Sequence, residues 1–265
     1  RLIDEICGAE GYGGQIAHVE RIEARPAQYA DLQVRLHETV QAILDGLGIE
    51  QLYTHQAEAI EAALGGENVV VVSGTASGKT LCYVVPIAQK LYERPTSRAL
   101  LIYPTKALAQ DQLRKLADFG AGRAFQAATY DGDTPVSRRR SIKRDAQVVL
   151  TNPDMLHIGI LPYHHTWAEF LRNLDFIVID EVHTYRGVFG SHTANVMRRL
   201  RRIIAKYGAN PQFVACSATI GNAQELFEEL TGLPVKVVSN DGAPRGRRFF
   251  VLWNPPELER RAGRR

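Results

Sequence analysis

The sequence predicts an α/β domain with a mostly parallel sheet and helices on both of its faces. Between residues 52 and 239, short apolar segments rich in β-branched residues alternate with longer amphipathic segments. The central apolar segments are nearly continuous and do not alternate with polar residues. Strands that are buried on both faces of a parallel sheet have this pattern. Strand–helix alternation of this kind builds a doubly wound sheet through right-handed crossovers.

A set of predicted strands and helices accounts for this alternation. The apolar runs predict strands over residues 69–72, 99–103, 127–130, 148–151, 176–179, 213–216 and 235–238. The amphipathic segments predict helices over residues 54–64, 78–92, 106–119, 191–207 and 223–230. Ligands of doubly wound sheets bind at the carboxyl ends of the strands, so we expect the functional residues there.

The two ends of the chain differ from this central region. Residues 1–50 lack the alternation, and we expect an irregular N-terminal extension there. Residues 51–240 would then form the α/β domain. Residues 241–265 are rich in Gly, Pro and Arg, which predicts a basic linker in which residues 249–253 could add one more strand. Because the chain begins at Arg1 and not at Met, we expect it to be a part of a longer protein.

The composition is typical of a soluble globular protein. Of the 265 residues, 45% are hydrophobic and 23% are charged. No apolar run approaches the length of a membrane-spanning helix, so no membrane partner is expected. The net charge of +3 permits a polyanionic partner without demonstrating one. Cys7, Cys82 and Cys216 show no metal-ligand spacing, and we interpret them as buried thiols of a protein in the reducing cytoplasm.

A phosphate-binding loop follows the first strand of the predicted sheet. Its residues are Ser73, Gly74, Thr75, Ala76, Ser77, Gly78, Lys79 and Thr80. Small residues allow the backbone N–H groups to curl around phosphate groups, and the positive end of the following helix points at them. Lys79 is expected to reach the β- and γ-phosphates, and the Thr80 hydroxyl to bind Mg²⁺. The strict pattern begins with Gly, where this sequence has Ser73.

A second motif places two carboxylates, Asp180 and Glu181, directly after the predicted strand at residues 176–179. Burying a carboxylate pair is costly unless a positive partner compensates it, and Mg²⁺ bound to ATP is such a partner. We expect Asp180 to hold the Mg²⁺ and Glu181 to polarise the water that attacks the γ-phosphate. His183 could link the nucleotide to a neighbouring element. With the phosphate loop, these residues predict an ATPase that uses ATP and Mg²⁺.

Further segments resemble the first RecA-like domain of superfamily 2 helicases of the DEAD/DEAH type. They are residues 52–56 (LYTHQ), 103–108 (YPTKAL), 151–156 (TNPDML), 184–187 (TYRG) and 217–219 (SAT), in the order of that superfamily. The run at residues 180–192 and the segment at residues 250–256 resemble the Hrq1/MrfA group of YprA-like DNA repair helicases. The resemblance implies a RecA-like P-loop fold and an ATP-dependent DNA helicase or translocase, of 3′-to-5′ polarity, that acts in DNA repair.

The resemblance also implies roles for individual residues. Gln56 would read the adenine edge through its amide. Tyr53 would stack on the base, although a core tyrosine is an equally good interpretation. Ser217 and Thr219 would couple the nucleotide state to domain closure, although a plain helix cap would also explain them. The residues that would contact the phosphodiester backbone of a single-stranded tracking strand, without reading its sequence, are Pro104, Thr105, Lys106, Thr151, Asn152 and Pro153.

Two basic clusters and several histidines stand outside these motifs. Residues 138–140 and Lys143 follow a loop that lies near the nucleic-acid path in relatives, so backbone binding is one interpretation. Residues 198–202 carry four arginines on a helix with an apolar face, and we interpret these arginines as its solvated side. Four histidines show no zinc-ligand spacing with the cysteines, and we interpret them as structural or surface residues. They are His157, His164, His165 and His192.

The sequence leaves other functions open. An RNA-dependent ATPase or helicase, a nucleotide-dependent binding module without translocation, and a P-loop kinase would also have a phosphate loop. The run at residues 180–192 favours DNA over RNA, and a kinase would leave Gln56 and the strand-tracking segments unexplained. By resemblance, ATP binds between two RecA-like domains, and the second is absent from this chain. We therefore expect the chain alone to bind Mg–ATP weakly, to hydrolyse it very slowly and not to unwind a duplex.

Overall fold

The described residues form two compact units. A computed structural model describes residues 2–120 and 124–255. The larger unit spans Gln28–Ala243, and the smaller one combines the described residues up to Ala27 with those from Pro244 onward. Residues 256–265 of the predicted linker lie outside the described part of the chain.

The predicted strands and helices of the central region are present, with additional short elements. The strands are β1 (Ile16–Ile22), β2 (Tyr29–Ala30), β3 (Leu52–Tyr53), β4 (Val69–Val72), β5 (Arg98–Ile102), β6 (Ala127–Thr129), β7 (Val148–Thr151), β8 (Leu174–Ile179), β9 (Gln212–Ser217), β10 (Lys236–Val238) and β11 (Arg248–Trp253). The helices are α1 (Leu2–Cys7), α2 (Glu38–Gly46), α3 (Thr54–Leu64), α4 (Leu81–Glu93), α5 (Lys106–Asp118), α6 (Val136–Asp145), α7 (Pro153–Met155), α8 (Ala168–Arg172), α9 (Gly187–Lys206) and α10 (Ala223–Thr231).

Seven strands of the larger unit form one sheet in the order β10-β4-β9-β8-β5-β7-β6. Every neighbouring pair is parallel. In β4, Val69 and Val71 pack into one apolar cluster, whereas Val70 and Val72 pack into another on the opposite face. The strand is therefore buried on both sides, which is why its sequence is continuously apolar. The predicted fold class is confirmed.

Helices cover both faces of this sheet. The cluster that contains Val69 also contains buried residues of α2, α3, α4 and α5. The cluster that contains Val70 contains buried residues of α6, α8, α9 and α10. The crossovers between consecutive parallel strands thus place the helices in two layers, and the loops at the carboxyl ends of the strands lie at one edge of the sheet.

Residues 28–50 belong to the α/β unit, which corrects the expected boundary at residue 50. Helix α2 buries Val40 and Leu44 in the core, and β2 pairs with β3 as a short antiparallel ribbon. Two buried residues in a nine-residue helix give too weak a periodic signal to be read from sequence.

The smaller unit also changes the expectation for the chain ends. Strand β1 pairs with β11 in antiparallel register, from Ile16 opposite Trp253 to Ile22 opposite Arg248. The strand predicted over residues 249–253 is therefore present, but it is one half of a ribbon and not part of an isolated linker. In this unit Cys7 is exposed, so the expectation of a buried thiol is wrong there, whereas Cys82 and Cys216 are buried as expected.

None of the helices formed by the described residues is long and apolar enough to cross a membrane.

Candidate functional site

A cleft of about 1010 Å³ lies at the carboxyl edge of the parallel sheet. The strands β4, β5, β8 and β9 all end beside it. It brings together most of the residues predicted for nucleotide chemistry, although they come from three segments spread over residues 75–183. The predicted residues that line it are Thr75, Ala76, Ser77, Gly78, Lys79, Thr80, Pro104, Thr105, Asp180, Glu181 and His183.

The phosphate loop is curled by two residues in the left-handed region. Ala76 has φ 59° and Gly78 has φ 78°, so consecutive N–H groups turn toward the concave side. A Cβ atom at Gly78 would also displace the Gln56 amide, whose Nε2 lies against this position, and the positive φ itself favours glycine. Ala76 holds a conformation that is costly for a residue with a side chain, and such strain concentrates at functional loops.

Ser73, which stands where the strict motif has Gly, braces this loop. Its Oγ lies 2.6 Å from Oγ of Ser77, whose hydroxyl donates to the Gly74 carbonyl at 2.8 Å. Ser73 therefore donates to Ser77, and a glycine could not make this bond. Ser73 has no positive φ, so the departure from the motif adds a hydrogen bond without strain.

Polar groups of the phosphate loop are already hydrogen-bonded within the protein in this structure. The Nζ atom of Lys79 donates to the carbonyls of Ser73 and Gly74, at 3.1 Å and 2.7 Å. The backbone N–H of Gly74 donates to Oδ2 of Asp241 at 3.2 Å. A carboxylate thus occupies one donor of the loop, which shows that the loop accepts an anionic oxygen. Asp241 was not predicted, because nothing in the sequence relates it to a loop so far along the chain.

Asp180 is partly buried at the end of β8, where desolvation raises its pKa from 3.8 to about 6. The Glu181 N–H, which donates to Oδ1 of Asp180 at 2.9 Å, and the charge of Lys79 oppose this shift. Glu181 itself has φ 53°, a left-handed conformation at the turn after the strand. A desolvated carboxylate with raised pKa fits a cation that would restore its charge.

The oxygen atoms of Asp180 and Thr80 are the hard donors that Mg²⁺ prefers. Thr80 lines the same cleft, and its hydroxyl lies 3.4 Å from Oε1 of Gln112. Within residues 2–120 and 124–255, no group of three His, Cys, Asp or Glu side chains could hold a metal ion by itself. These residues fit Mg²⁺ that completes its coordination with phosphate and water oxygens, as Mg²⁺ commonly does.

His183 connects two of the predicted motifs. Its Nδ1 accepts a hydrogen bond from the backbone N–H of Ala218 at 3.1 Å and lies 3.3 Å from Oε2 of Glu181. Ala218 is the central residue of the segment 217–219. Ser217 Oγ is buried there without a hydrogen-bond partner in the described part of the chain, and Thr219 is exposed.

The base end of the site lies beside α3. The amide of Gln56 accepts from the Tyr53 N–H at 2.9 Å and donates to the Gly78 carbonyl at 3.1 Å. One N–H and one lone pair of the amide remain for a ligand. Gln56 therefore positions the phosphate loop as well as the predicted base.

Tyr29 is a residue of this region that sequence reasoning missed. The Tyr53 ring stacks on Tyr29, with centroids 5.4 Å apart, and on His55, with centroids 5.9 Å apart. A pocket of about 460 Å³ lies beside Tyr29, Tyr53, Gln56 and Gly78. The Tyr53 ring is stacked on two other rings, whereas about half of the Tyr29 surface is exposed. Tyr29 is therefore the more exposed of the two tyrosines that line this pocket.

The segments predicted to contact a nucleic-acid backbone lie along the same edge of the sheet. Thr105 is exposed and caps α5 by accepting from the Leu108 N–H at 3.4 Å. Lys106 is also exposed, and its Nζ donates to Asp133 at 2.8 Å, which raises the pKa of the lysine. Pro104 is half-buried at the rim of the cleft.

The second of these segments is less accessible than predicted. Thr151 is 1% exposed, and its hydroxyl donates to the Tyr130 carbonyl at 2.7 Å. A strand cannot reach that hydroxyl, so the expectation of a direct contact by Thr151 is wrong for its side chain. The side chain of Asn152 caps α7 by accepting from the Met155 N–H at 2.8 Å. Pro153 is buried, at the wall of a separate groove.

The basic cluster at residues 138–143 is divided by its contacts. Arg139 donates to the Thr134 carbonyl at 3.1 Å and lies over the Tyr130 ring, and Lys143 lies over the Trp167 ring. Arg138 and Arg140 are exposed. These two guanidinium groups remain available to an anionic ligand.

Comparison with known proteins agrees with this arrangement. Residues 53–226 match the DEAD/DEAH box helicase family. The chain is 47% identical, over 96% of its length, to 34% of the protein named Uncharacterized ATP-dependent helicase YprA of Bacillus subtilis (strain 168). It is 42% identical, over 97% of its length, to 25% of the ATP-dependent helicase hrq1 of Schizosaccharomyces pombe.

Among solved structures, the chain is similar to the DUF1998 helicase MrfA bound to DNA and AMPPNP. The TM-score is 0.90 and the identity 46%, and the match covers 97% of this chain and 36% of that one. This chain therefore spans about a third or less of the length of these relatives. The resemblance to the Hrq1/MrfA group is confirmed. Since the family match covers most of the chain and includes both motifs of the cleft, this chain is a member of the DEAD/DEAH box helicase family.

Proposed function

We propose that this chain is the ATP-binding motor domain of an ATP-dependent DNA helicase or translocase. It would couple the hydrolysis of Mg–ATP to movement along a single-stranded tracking strand. The observation that carries the proposal is the cleft in which the phosphate loop faces Asp180 and Glu181 and whose rim is formed by Pro104 and Thr105. One cavity thus contains groups for a nucleotide and borders groups for a strand.

The phosphate loop would hold the β- and γ-phosphates. Phosphate oxygens would replace the Ser73 and Gly74 carbonyls as the partners of Lys79 Nζ. A phosphate oxygen would also replace the Asp241 carboxylate as the acceptor of the Gly74 N–H. The N-terminus of α4 adds the positive end of a helix dipole. The adenine would contact the remaining amide groups of Gln56 and an aromatic ring beside them.

Thr80 and Asp180 would hold Mg²⁺, which when bound neutralises charge on the phosphates. The Glu181 carboxylate would orient and polarise the water that attacks the γ-phosphate. His183 contacts both Glu181 and Ala218. It would therefore couple a change of the bound nucleotide to the position of the segment 217–219. Ser217 and Thr219 would pass that state to a second RecA-like domain.

The nucleic-acid side of the proposal has separate support. Thr105, Lys106 and Asn152 lie at the carboxyl edge, and contacts from such residues position a strand without reading its bases. The related MrfA structure is named as bound to DNA, which favours DNA over RNA. A 3′-to-5′ polarity and a role in DNA repair follow from the resemblance alone. We propose the cytoplasm as the compartment, since the three cysteines are free thiols.

A nucleotide titration tests the proposal. The affinity of the 265-residue chain for a fluorescent ATP analogue with Mg²⁺ is measured alone and with an oligo-dT or an oligo-U strand. Lys79→Ala should abolish binding, whereas Lys206→Ala, an exposed lysine of α9, should not change it. Oligo-dT should strengthen nucleotide binding more than oligo-U.

The outcomes separate the alternatives. Stronger coupling to oligo-U would favour an RNA-dependent enzyme. Nucleotide binding that is indifferent to both strands would favour a binding module without translocation. Binding that survives Lys79→Ala would contradict every version of the proposal.

A further inference from the structure

A second concave surface lies next to the nucleotide cleft. It is a groove of about 450 Å³ between α9 and the helical turn that follows α7. We call it the α9 groove. Its polar lining residues are Asp154, His157, His192, Thr193, Asn195, Arg198, Arg199 and Arg202. Among the residues predicted to contact a nucleotide or a strand, Pro153 alone lines this groove. From the sequence, its arginines are interpreted as the solvated side of a helix.

The four arginines of α9 do not behave alike. Arg201 donates to the carbonyls of Thr231 and Gly232, at 2.8 Å and 3.2 Å, and so covers the end of α10. Arg198, Arg199 and Arg202 line the α9 groove instead. Arg198 and Arg202 are exposed, as expected for the solvated side of α9, whereas Arg199 and Arg201 are partly buried.

The positive charge of the α9 groove is not compensated within the described residues. Arg199 donates to the His157 carbonyl at 3.3 Å, and Arg198 to the Asn195 amide oxygen at 3.3 Å. Within the described residues, none of the three arginines Arg198, Arg199 and Arg202 forms an ion pair. The lining contains three guanidinium groups and one carboxylate, that of Asp154. A concave surface with such an excess of one sign concentrates ligands of the opposite sign.

The spacing along α9 makes this arrangement unfavourable in the absence of a ligand. Arg198 and Arg202 are an i,i+4 pair, and Arg199 and Arg202 an i,i+3 pair, so like charges lie side by side on the helix. A bound anion would remove this repulsion. Because guanidinium groups bind phosphate oxygens through two parallel N–H donors, phosphate is the anion that suits three adjacent arginines.

The position of the groove identifies which phosphate it would meet. Pro153 forms part of its wall and directly follows Asn152 of the predicted strand-contact segment. Phe189 lines both the α9 groove and the nucleotide cleft. A strand that passes Asn152 along the sheet edge would therefore continue to the mouth of the groove.

We propose that the α9 groove binds the phosphodiester backbone of the tracking strand through Arg199 and Arg202, beyond the contacts of the DEAD/DEAH motifs. The inference rests on the proposed function, since it needs a strand at the sheet edge. It adds a sequence-independent contact on α9, which begins at Gly187, soon after Asp180 and Glu181. Part of the strand would thus be bound by an element that is attached to the ATP site.

The dependence of binding on salt tests this inference. The dissociation constant of the 265-residue chain for labelled oligo-dT is measured over a series of KCl concentrations. Each phosphate contact on a single strand contributes about 0.7 to the slope of log K against log salt. Arg199→Gln and Arg202→Gln should each lower the slope by about 0.7, and at about 0.1 M salt each should weaken binding about fivefold.

Two control variants make the result specific. Lys206→Gln removes the same charge from the same helix outside the groove and should leave the slope unchanged. Arg199→Lys keeps the charge and should keep most of the slope. Thermal unfolding of each variant confirms that it folds. Arg199→Gln and Arg202→Gln test the groove independently, so either one decides the matter if the other does not fold.

Each other result overturns the inference. If the wild type binds oligo-dT and the arginine variants have the same slope, the groove has no phosphate contact while the proposed function stands. Equal losses in Lys206→Gln and the arginine variants would indicate diffuse attraction. If the arginine variants weaken ATP binding alone, the groove serves the nucleotide. No binding of oligo-dT by the wild type would defeat both the inference and the proposed function.

Discussion

Nδ1 of His183 accepts a hydrogen bond from the backbone N–H of Ala218 at 3.1 Å, and the same atom lies 3.3 Å from Oε2 of Glu181. One ring nitrogen cannot accept from Ala218 and donate to Glu181 at the same time. The two contacts therefore exclude each other, and a proton or a small rotation of the ring decides between them. Such a choice can link the residue proposed to orient water with the segment proposed to couple the domains.

Replacing His183 should remove the coupling between nucleotide binding and DNA binding. We expect His183→Ala to keep its affinity for the ATP analogue within about twofold, because His183 lies beyond the phosphate loop. The strengthening of nucleotide binding by oligo-dT should be lost, a change of about 1–3 kcal/mol if the coupling is of ordinary size. The titration with and without oligo-dT measures it.

His165→Ala provides the control for that experiment. His165 is exposed on the surface and has no contact with the cleft, so the coupling should remain. If nucleotide binding and DNA binding remain coupled in His183→Ala as in the wild type, the two contacts of the His183 ring have no role in this coupling.

Ser217 should stabilise the chain less than alanine would at the same position. Its Oγ is buried and has no hydrogen-bond partner in residues 2–120 or 124–255, and an unsatisfied buried hydroxyl costs about 1–3 kcal/mol. Ser217→Ala should therefore raise the free energy of unfolding in urea by about 1 kcal/mol while reducing coupling to DNA.

A buried hydroxyl with partners provides the contrast. Thr231 Oγ1 donates to the Phe227 carbonyl at 2.8 Å and accepts from the Leu233 N–H at 3.2 Å. Thr231→Val should lower the free energy of unfolding, the opposite sign. Destabilisation by Ser217→Ala would mean that its hydroxyl is satisfied in the folded protein.

Asp180 should make the metal-free chain sensitive to pH. Desolvation raises its pKa in the folded state from 3.8 to about 6, so folding favours the protonated carboxyl. The corresponding stability is fully present below the unfolded pKa of about 4 and is lost as the pH rises through 6, a loss of about 3 kcal/mol. Asp180→Asn should remove this loss and be the more stable protein at neutral pH.

Urea unfolding in EDTA, from acid to neutral pH, measures this effect. The difference between wild type and Asp180→Asn should grow with pH, whereas Asp118→Asn, at an exposed position of α5, should follow the wild type. Mg–ATP should stabilise the wild type and not Asp180→Asn. A constant difference at all pH values would show that Asp180 is not desolvated as the structure indicates.

The sheet was predictable because its signal is local and repeated. In β4, four consecutive valines can be buried only between two helical layers, and the other central strands have the same character. The phosphate loop and the pair Asp180 and Glu181 were predictable because each motif is contiguous and follows such a strand. Short α2, with two buried residues, and polar α6, with one, lack this repetition.

The site residues that were missed depend on contacts between distant segments. Asp241 reaches the Gly74 N–H, and Arg199 reaches His157, through the packing of elements that the sequence does not order in space. Thr151 was predicted to contact a strand because the segment 151–156 resembles a helicase motif and follows a predicted strand. The register of β7 with β6 turns that hydroxyl to the Tyr130 carbonyl instead.

Tyr29 should be the ring on which a nucleotide base stacks. The Tyr53 ring already stacks on Tyr29 and on His55, whereas Tyr29 is half-exposed beside the pocket that Gln56 and Gly78 also line. Stacking of a base on an aromatic ring is worth about 1–3 kcal/mol. We therefore expect Tyr29→Ala to weaken binding of the ATP analogue by about tenfold, and Tyr29→Phe to leave it unchanged.

The matched comparison is the binding of Mg²⁺–triphosphate, which has the phosphates of ATP but no base. Tyr29→Ala should not weaken triphosphate binding, because Tyr29 does not line the cleft that holds the phosphate loop. Equal losses for ATP and triphosphate would show that Tyr29 supports the fold of the loop through Tyr53 and Gln56. Loss of ATP affinity with triphosphate binding intact can arise only from contacts with the adenosine part of ATP, as expected if Tyr29 stacks on the base.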